Sequence, residues 1–183
     1  MAIQRLSKLT ISLHWIIAAT MIVLLAVGIY MAETDAWALY PWHKSFGILI
    51  FPVAVARVLW RIKEGWPEPV GDYPRYEQIL AKLTHYALLL GTLLMPISGM
   101  VFSSMSGHGF ELFGIPLAAA HPSPDKPGEV VPVNESLADF AHEAHEVIGW
   151  ILILAIALHV IGALKHHVID KDQTLQRMRG KMD

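Results

Sequence analysis

The sequence predicts an all-α protein, a four-helix transmembrane bundle with both termini on the cytoplasmic side. Apolar residues make up 54% of the 183 residues and charged residues only 16%, well below the charged share usual in soluble domains. Four apolar segments are long enough to cross, or nearly cross, a bilayer. The basic residues fall mainly on one side of these segments. Together these observations indicate one membrane domain over residues 1–183.

The first two spans are predicted over residues 9–31 and 43–62. The first is almost wholly apolar, is long enough to cross with some tilt, and carries His14 near its basic N-terminal end. The second begins at His43 and contains a proline, which a membrane helix tolerates when neighbours cover the freed carbonyl. Its Arg57 either extends to the nearby surface or neutralises a buried anion, and the sequence leaves both roles open.

The third and fourth spans are predicted over residues 79–104 and 142–167. His85 lies near the start of the third span. The outer loop between them, about residues 105–139, is longer than most loops, and such loops are usually functional or disordered. Its part-apolar LFGIPL segment is expected to lie against the membrane surface.

The positions of the basic residues predict the orientation. With four spans, both termini and the second loop share one side, which takes all but two of the 14 basic residues. Only Lys44 and Lys126 fall on the opposite side. The positive-inside rule therefore places both termini in the cytoplasm of a multi-pass inner-membrane protein.

The histidines of the fourth span predict two stacked haem sites. His145 and His159 are 14 positions apart, so on an ideal helix they point within about 40° of each other and lie about 21 Å apart along the axis. His166 follows seven positions later, within about 20° of the same face. Imidazoles inside an apolar helix are costly unless something uses them, and haem iron held between two histidines of neighbouring helices is such a use.

Depth in the membrane assigns partners to these histidines. At the outer end His145 pairs with His43, with His142 as a competitor that points about 100° away from His159. At the inner end both His14 and His85 reach the level of His159, and spacing alone does not choose between them. The histidine left over, with His166, is suited to a quinone, which needs apolar walls and a donor near each carbonyl oxygen.

Two simpler interpretations compete with these assignments. In the first, the spaced histidines are ordinary helix-end residues bonded to backbone or water; in the second, His166 and His167 are merely interfacial. Cysteine is absent from the sequence, which excludes covalent c-type haem, cysteine-bound iron–sulfur clusters and disulfides. No nucleic-acid partner is expected.

Several motifs resemble the bacterial cytochrome b561 family over essentially the whole chain. They are SLHW around His14, HKSFGI from His43, HYALLLGTLLMPISG, and HEVIGWILILAIALHVIGALKHHVIDKDQTLQRM. The resemblance implies two b haems per chain exchanging electrons with the ubiquinone pool, as an electron-transfer oxidoreductase acting on quinone. Carried over by motif, His14 and His159 bind one haem iron, His43 and His145 the other, and His85 and His166 match positions associated with ubiquinone.

The charge of the outer segments bears on the choice of the outer partner. One member of the family is a superoxide oxidase, but here the outer segments carry nine acidic residues against Lys44 and Lys126, a field that repels an anionic substrate. A cationic or neutral periplasmic donor or acceptor suits that field better. Superoxide oxidase and a haem-bearing anchor subunit of a larger oxidoreductase remain alternatives. A transporter or structural membrane protein without haem is a third.

Overall fold

The computed structural model describes residues 5–181, which form long α-helices and one small hairpin. The helices are α1 (Lys8–Thr34), α2 (Tyr40–Glu64), α3 (Arg75–Met105), α4 (Glu135–Val168) and α5 (Thr174–Met178), and the strands are β1 (Phe110–Leu112) and β2 (Ile115–Ala118). A 3-10 turn at Trp37–Leu39 precedes α2. Four of these helices are long and apolar enough to cross a membrane. The predicted all-α fold with four spans is confirmed.

Each long helix extends beyond the apolar segment from which it was predicted. The clearest case is α4, which has 34 residues and begins seven positions before the predicted span, at an N-cap where Asn134 Oδ1 accepts a hydrogen bond from Leu137 N at 3.0 Å. A polar first turn does not interrupt a capped helix, and hydropathy alone does not detect it. The Ser7 side chain caps α1 in the same way.

The core lies between the two ends of the bundle and joins α1, α2 and α4. Its buried members are Ile17, Met21, Leu25, Ile50, Ala54 and Leu152. The α3–α4 contact depends on Gly91, because a Cβ there would lie 2.6 Å from Leu152 Cδ2. Many large apolar side chains of the four helices point away from this core and are exposed on the protein itself. A lipid bilayer covers such a surface, which explains why the helices need only a narrow interior seam.

The hairpin occupies part of the segment predicted as the outer loop. Strand β1 pairs antiparallel with β2 through a turn at Phe113 and Gly114, whose φ angles of 50° and 89° are typical of a two-residue hairpin turn. Buried Ser45 of α2 holds the turn, because its Oγ accepts from Phe113 N at 2.9 Å and donates to the Glu111 carbonyl at 3.2 Å. The contact of LFGIPL with the membrane surface stays a prediction.

Candidate functional site

The structure brings four of the predicted histidines together as two pairs at opposite ends of α4. The pair at the end predicted to face the periplasm, called the outer pair, is His43 of α2 with His145 of α4, whose ring centroids are 6.4 Å apart. The inner pair is His14 of α1 with His159 of α4, at 6.0 Å. The rings are steeply inclined in both pairs, at 78° and 62°. Each pair therefore joins α4 to a different neighbouring helix.

The outer pair is held by helix α3. His145 Nδ1 lies 3.0 Å from the Met95 carbonyl and 3.0 Å from Ser98 Oγ. A proton on Nδ1 satisfies the carbonyl and leaves the Nε2 lone pair free, which is the arrangement usual for a metal-bound histidine. Gly99 lies against the same ring, because a Cβ there would be 3.0 Å from Cε1 of His145. Gly28 of α1 approaches His43 similarly, at 3.3 Å.

A small apolar pocket opens beside the outer pair. Its walls are formed by Met21, Leu24, Leu25, His43, Gly47, Ile50, Met95, Pro96 and His145. Nδ1 of His43 is buried and has no hydrogen-bond partner within residues 5–181. A buried polar atom without a partner is costly, so the site is better explained with a group bound there than without one. The lining suits a flat apolar cofactor.

The inner pair has a third histidine beside it. The His85 ring is 5.2 Å from the His159 ring, so His159 lies next to both His14 and His85. His85 also contacts the indole of Trp66, at 5.8 Å. The structure therefore confirms neither partner by proximity alone.

The ring separations fit two histidines on one iron. An imidazole nitrogen bonds a metal at about 2.0 Å and the ring centroid lies roughly 1.15 Å behind it, so rings on opposite sides of one iron have centroids about 6.3 Å apart. The outer pair, at 6.4 Å, and the inner pair, at 6.0 Å, are close to this value. The 5.2 Å between His85 and His159 is shorter. The centroid separations of both pairs are thus compatible with two imidazoles on one iron.

Arg57 bears directly on the inner pair. Its Nη2 lies 3.1 Å from His14 Nδ1. Because a guanidinium only donates hydrogen bonds, this contact leaves the His14 proton on Nε2. Binding of iron through Nε2 requires that proton to move to Nδ1 and the Arg57 contact to be given up. Arg57 then becomes available to an anionic group at the same depth.

His166 lies in a polar cluster at the inner end of α4 that the sequence did not predict. Its Nδ1 is 2.9 Å from Asp170 Oδ2 and 3.1 Å from Asp172 Oδ2, close enough for ion pairs although neither contact has hydrogen-bond alignment. Tyr73 packs its ring 4.6 Å from the imidazole and donates its hydroxyl proton to Asp172 Oδ2 at 2.5 Å. His166 has no ring contact or hydrogen bond with His85 among the described residues.

The environment of this cluster shifts two of its pKa values. Burial, with the hydrogen bond to Asp172, raises the pKa of the Tyr73 hydroxyl, so it stays protonated as a donor. Burial also acts to raise the pKa of the Asp172 carboxyl, but hydrogen bonds from Tyr73 and Thr174 outweigh it and leave the pKa below its usual value. The DKD sequence was the only signal of this arrangement, since α5 and the loop before α3 complete it from distant positions.

The remaining outer histidines lie apart from the pairs. His142 is exposed and packs on Phe102, with ring centroids 4.6 Å apart. His108 lies beside Ser106, whose Oγ is 3.0 Å from its Nδ1. Neither contacts the ring of His43, the outer partner of His145, among residues 5–181.

Known proteins resemble the chain over nearly its full length. The family model described as prokaryotic cytochrome b561 matches residues 5–181. Cytochrome b561 homolog 2 of Escherichia coli is 32% identical, over 97% of this chain and 93% of the relative. Cytochrome b561 homolog 1 of the same organism is 29% identical, over 96% and 97%. A probable superoxide oxidase CybB of Yersinia pestis is 27% identical, over 97% of both chains.

These matches agree with the four spans and the buried histidines. The family implies haem b, against the alternative of a transporter or structural protein without haem. The protein is a multi-pass inner-membrane b-type cytochrome that carries electrons. The chain belongs to the prokaryotic cytochrome b561 family.

Proposed function

We propose that the chain binds two b haems and carries electrons between a periplasmic partner and ubiquinone. The observation that carries the proposal is the presence of two histidine pairs at opposite ends of α4, each with the ring separation expected of two axial ligands. His43 and His145 hold the outer haem iron, and His14 and His159 the inner one. Haem b held by two histidines supplies one-electron redox chemistry and offers no open position for oxygen.

His14 is preferred to His85 as the inner ligand for a geometric reason. The His14–His159 ring separation is near the expected value, whereas the His85–His159 separation is about 1 Å shorter than that value. This leaves His85 free as one of two quinone-binding histidines, with His166 as the other. The excess of basic residues on one side places both termini in the cytoplasm, so quinone binds on the cytoplasmic side of the inner haem.

Arg57 is proposed to neutralise a propionate of the inner haem once its contact with His14 is given up. Replacing it by glutamine is expected to leave two haems bound but to lower the midpoint potential of one of them, because loss of a nearby positive charge disfavours the reduced, more negative state. A redox titration followed in the visible spectrum measures this. Lys63→Gln, an exposed residue of the same helix, is the matched control. Unchanged midpoint potentials in Arg57→Gln would instead support the interpretation in which the Arg57 side chain extends to the nearby membrane surface.

The outer partner is proposed to be a cationic or neutral electron carrier. Of the two outer lysines, Lys126 is paired with Glu129 at 3.2 Å, and Lys44 donates to the Gly109 carbonyl at 3.3 Å. The Gly109 carbonyl is neutral, so Lys44 keeps its positive charge, but one unpaired lysine among nine acidic residues leaves the outer segments net negative. Such a surface attracts a basic protein and repels an anion.

Superoxide oxidation is a second candidate, favoured by the relative from Yersinia pestis and by the position of Lys44 next to His43. Steady superoxide generation in the presence of the oxidised protein separates the candidates. Haem reduction that superoxide dismutase abolishes, and that slows as salt is added, would support a superoxide oxidase. Haem reduction by a basic carrier protein alone would support the first proposal.

His166→Ala tests the quinone assignment. We expect the variant to keep both haems, because His166 is seven residues from His159, and to reoxidise at least about tenfold more slowly with ubiquinone through loss of a hydrogen-bond donor and proton source. Stopped-flow mixing of dithionite-reduced protein with a short-chain ubiquinone measures the rate. His167→Ala, at the exposed neighbouring position, is the control. Equal rates in wild type and His166→Ala would remove His166 from the quinone site.

A further inference from the structure

We propose that Asp170 and Asp172 form a proton relay that connects the cytoplasm to the quinone through the His166 imidazole. The inference deepens the proposed function, because it rests on His166 binding quinone. It begins from the convergence of both carboxylates on one ring nitrogen, His166 Nδ1, at 2.9 and 3.1 Å. An imidazole accepts a proton at one nitrogen and releases one from the other, so this contact leaves Nε2 for the substrate.

The residues of the relay differ in how accessible their side chains are to water. Asp170 is exposed as a residue, with a quarter of its side chain accessible, and it follows the end of α4. The side chains of His166 and Asp172 are less accessible, at 19% and 13%. A proton therefore enters from water at Asp170 and passes to His166 when a small rotation aligns carboxylate and ring. Asp172 is the inner acceptor of the two.

The charged groups around the imidazole have a net negative charge. Facing it are three carboxylates (Glu77 of α3, Asp170 and Asp172) and two cations (Lys165 of α4 and Arg177 of α5). Lys165 Nζ pairs with Glu77 at 2.7 Å and with Asp170 at 3.0 Å. Arg61 of α2 also acts on Arg177 and is itself balanced by Glu64. The three carboxylates against two cations leave a net negative charge beside the imidazole, which favours the arrival of a proton at this cluster.

Tyr73 positions the relay and does not itself supply protons. Its hydroxyl donates to Asp172 Oδ2, and its ring packs on the imidazole. The other oxygen of Asp172 accepts from Thr174 N at 2.8 Å and starts α5. Buried Arg177 of α5 donates to the Glu68 carbonyl at 3.0 Å, which fastens α5 to the loop that carries Tyr73. These contacts fix Asp172 so that it stays beside the ring.

The reaction balances as ubiquinone plus two electrons and two protons giving ubiquinol. The electrons come from the reduced cytochrome of the proposed function. For each proton, the Nε2–H bond of His166 breaks as an O–H bond forms on the quinone. At the same time Nδ1 of His166 takes a proton from one of the two carboxyl groups, and that carboxylate is protonated again from cytoplasmic water. Quinol oxidation runs the same steps in reverse.

The test uses the full-length, haem-loaded protein in detergent and the double variant Asp170→Asn/Asp172→Asn. Asparagine has the same shape, keeps one oxygen that accepts from Thr174 N to cap α5, and does not carry a proton at neutral pH. Its amide nitrogen replaces the oxygen that accepts from Tyr73, so the Tyr73 hydroxyl has to turn and accept from the amide instead. Asp72→Asn is the matched control, because Asp72 is an exposed aspartate next to Tyr73. The measurement is stopped-flow reoxidation of dithionite-reduced protein by a short-chain ubiquinone, across pH and in H₂O and D₂O.

We expect the double variant to keep its haem spectrum and to reoxidise at least about tenfold more slowly than wild type. As the pH is raised, the reoxidation rate of the variant should begin to decline at a lower pH than that of wild type. Its solvent isotope effect should be larger. A small weak acid such as acetic acid should restore part of the rate. Asp72→Asn should match wild type in haem spectrum, rate, pH dependence and isotope effect, and the weak acid should not change its rate.

Three outcomes would overturn the relay, and they are distinguishable. A rate within about twofold of wild type at every pH shows that protons reach quinone by another route. Slowing by one constant factor, without change in pH profile or isotope effect, assigns the aspartates a purely structural role. Failure of quinone to reoxidise the wild-type protein would overturn the quinone assignment itself, and the relay with it.

Discussion

Replacing His159 by alanine is expected to remove one haem b from each chain and to leave the other in place. His159 is the α4 member of the inner pair, and His145 lies 14 residues away, about 21 Å along the helix axis. Loss of one axial ligand therefore affects the inner iron and not the outer one. Haem per chain, measured as the pyridine haemochrome of purified protein, should fall from two to one.

Two companion variants decide which histidine pairs with His159. His14→Ala should lose the same haem, whereas His85→Ala should keep both haems and change only the quinone kinetics. The opposite pattern would make His85 the ligand, despite its shorter ring distance. Equal loss of both haems in His159→Ala, with the helical fold intact by circular dichroism, would contradict separate sites.

Replacing His145 by alanine is expected to remove the outer haem and to block electron entry from the periplasmic side. The inner haem should stay, because its ligands are on the opposite side of the buried core that contains Leu25 and Leu152. In right-side-out vesicles, a membrane-impermeant reductant should no longer reduce the remaining haem quickly, although ubiquinol still exchanges electrons with it.

His142→Ala is the matched control for this experiment. His142 lies one turn from His145 on the same helix, but it is exposed and packs on Phe102. It should retain both haems and normal reduction from outside. If His142→Ala lost the outer haem and His145→Ala retained it, the outer ligand would have to be reassigned to His142.

Hydropathy was sufficient to predict the four spans, and histidine spacing predicted two groups of histidines at two levels of α4. A run of some twenty apolar residues has few alternatives to a membrane helix, and the 14-residue interval on α4 fixes both direction and separation. Spacing did not choose between His14 and His85, because depth is the only coordinate that hydropathy gives. Their distances from His159 depend on how α1 and α3 pack around α4.

Two features of the structure were not predictable from the sequence. The hairpin at Phe110–Ala118 has a Phe-Gly turn in place of the usual Asn-Gly or Asp-Gly, so its sequence resembles an apolar loop. The cluster around His166 requires Tyr73 from the second loop and Asp172 from beyond α4, 99 positions apart along the chain. Only the fold brings these two side chains within hydrogen-bond distance.

The most direct test of the central claim is the oxidised and dithionite-reduced visible spectrum of the purified protein, with haem quantified per chain. Two low-spin b haems per chain are expected, since two histidine pairs each have a separation suited to one iron. One haem, or none, would contradict the account. The outer assignment of His43 and His145 would then be the first to be withdrawn.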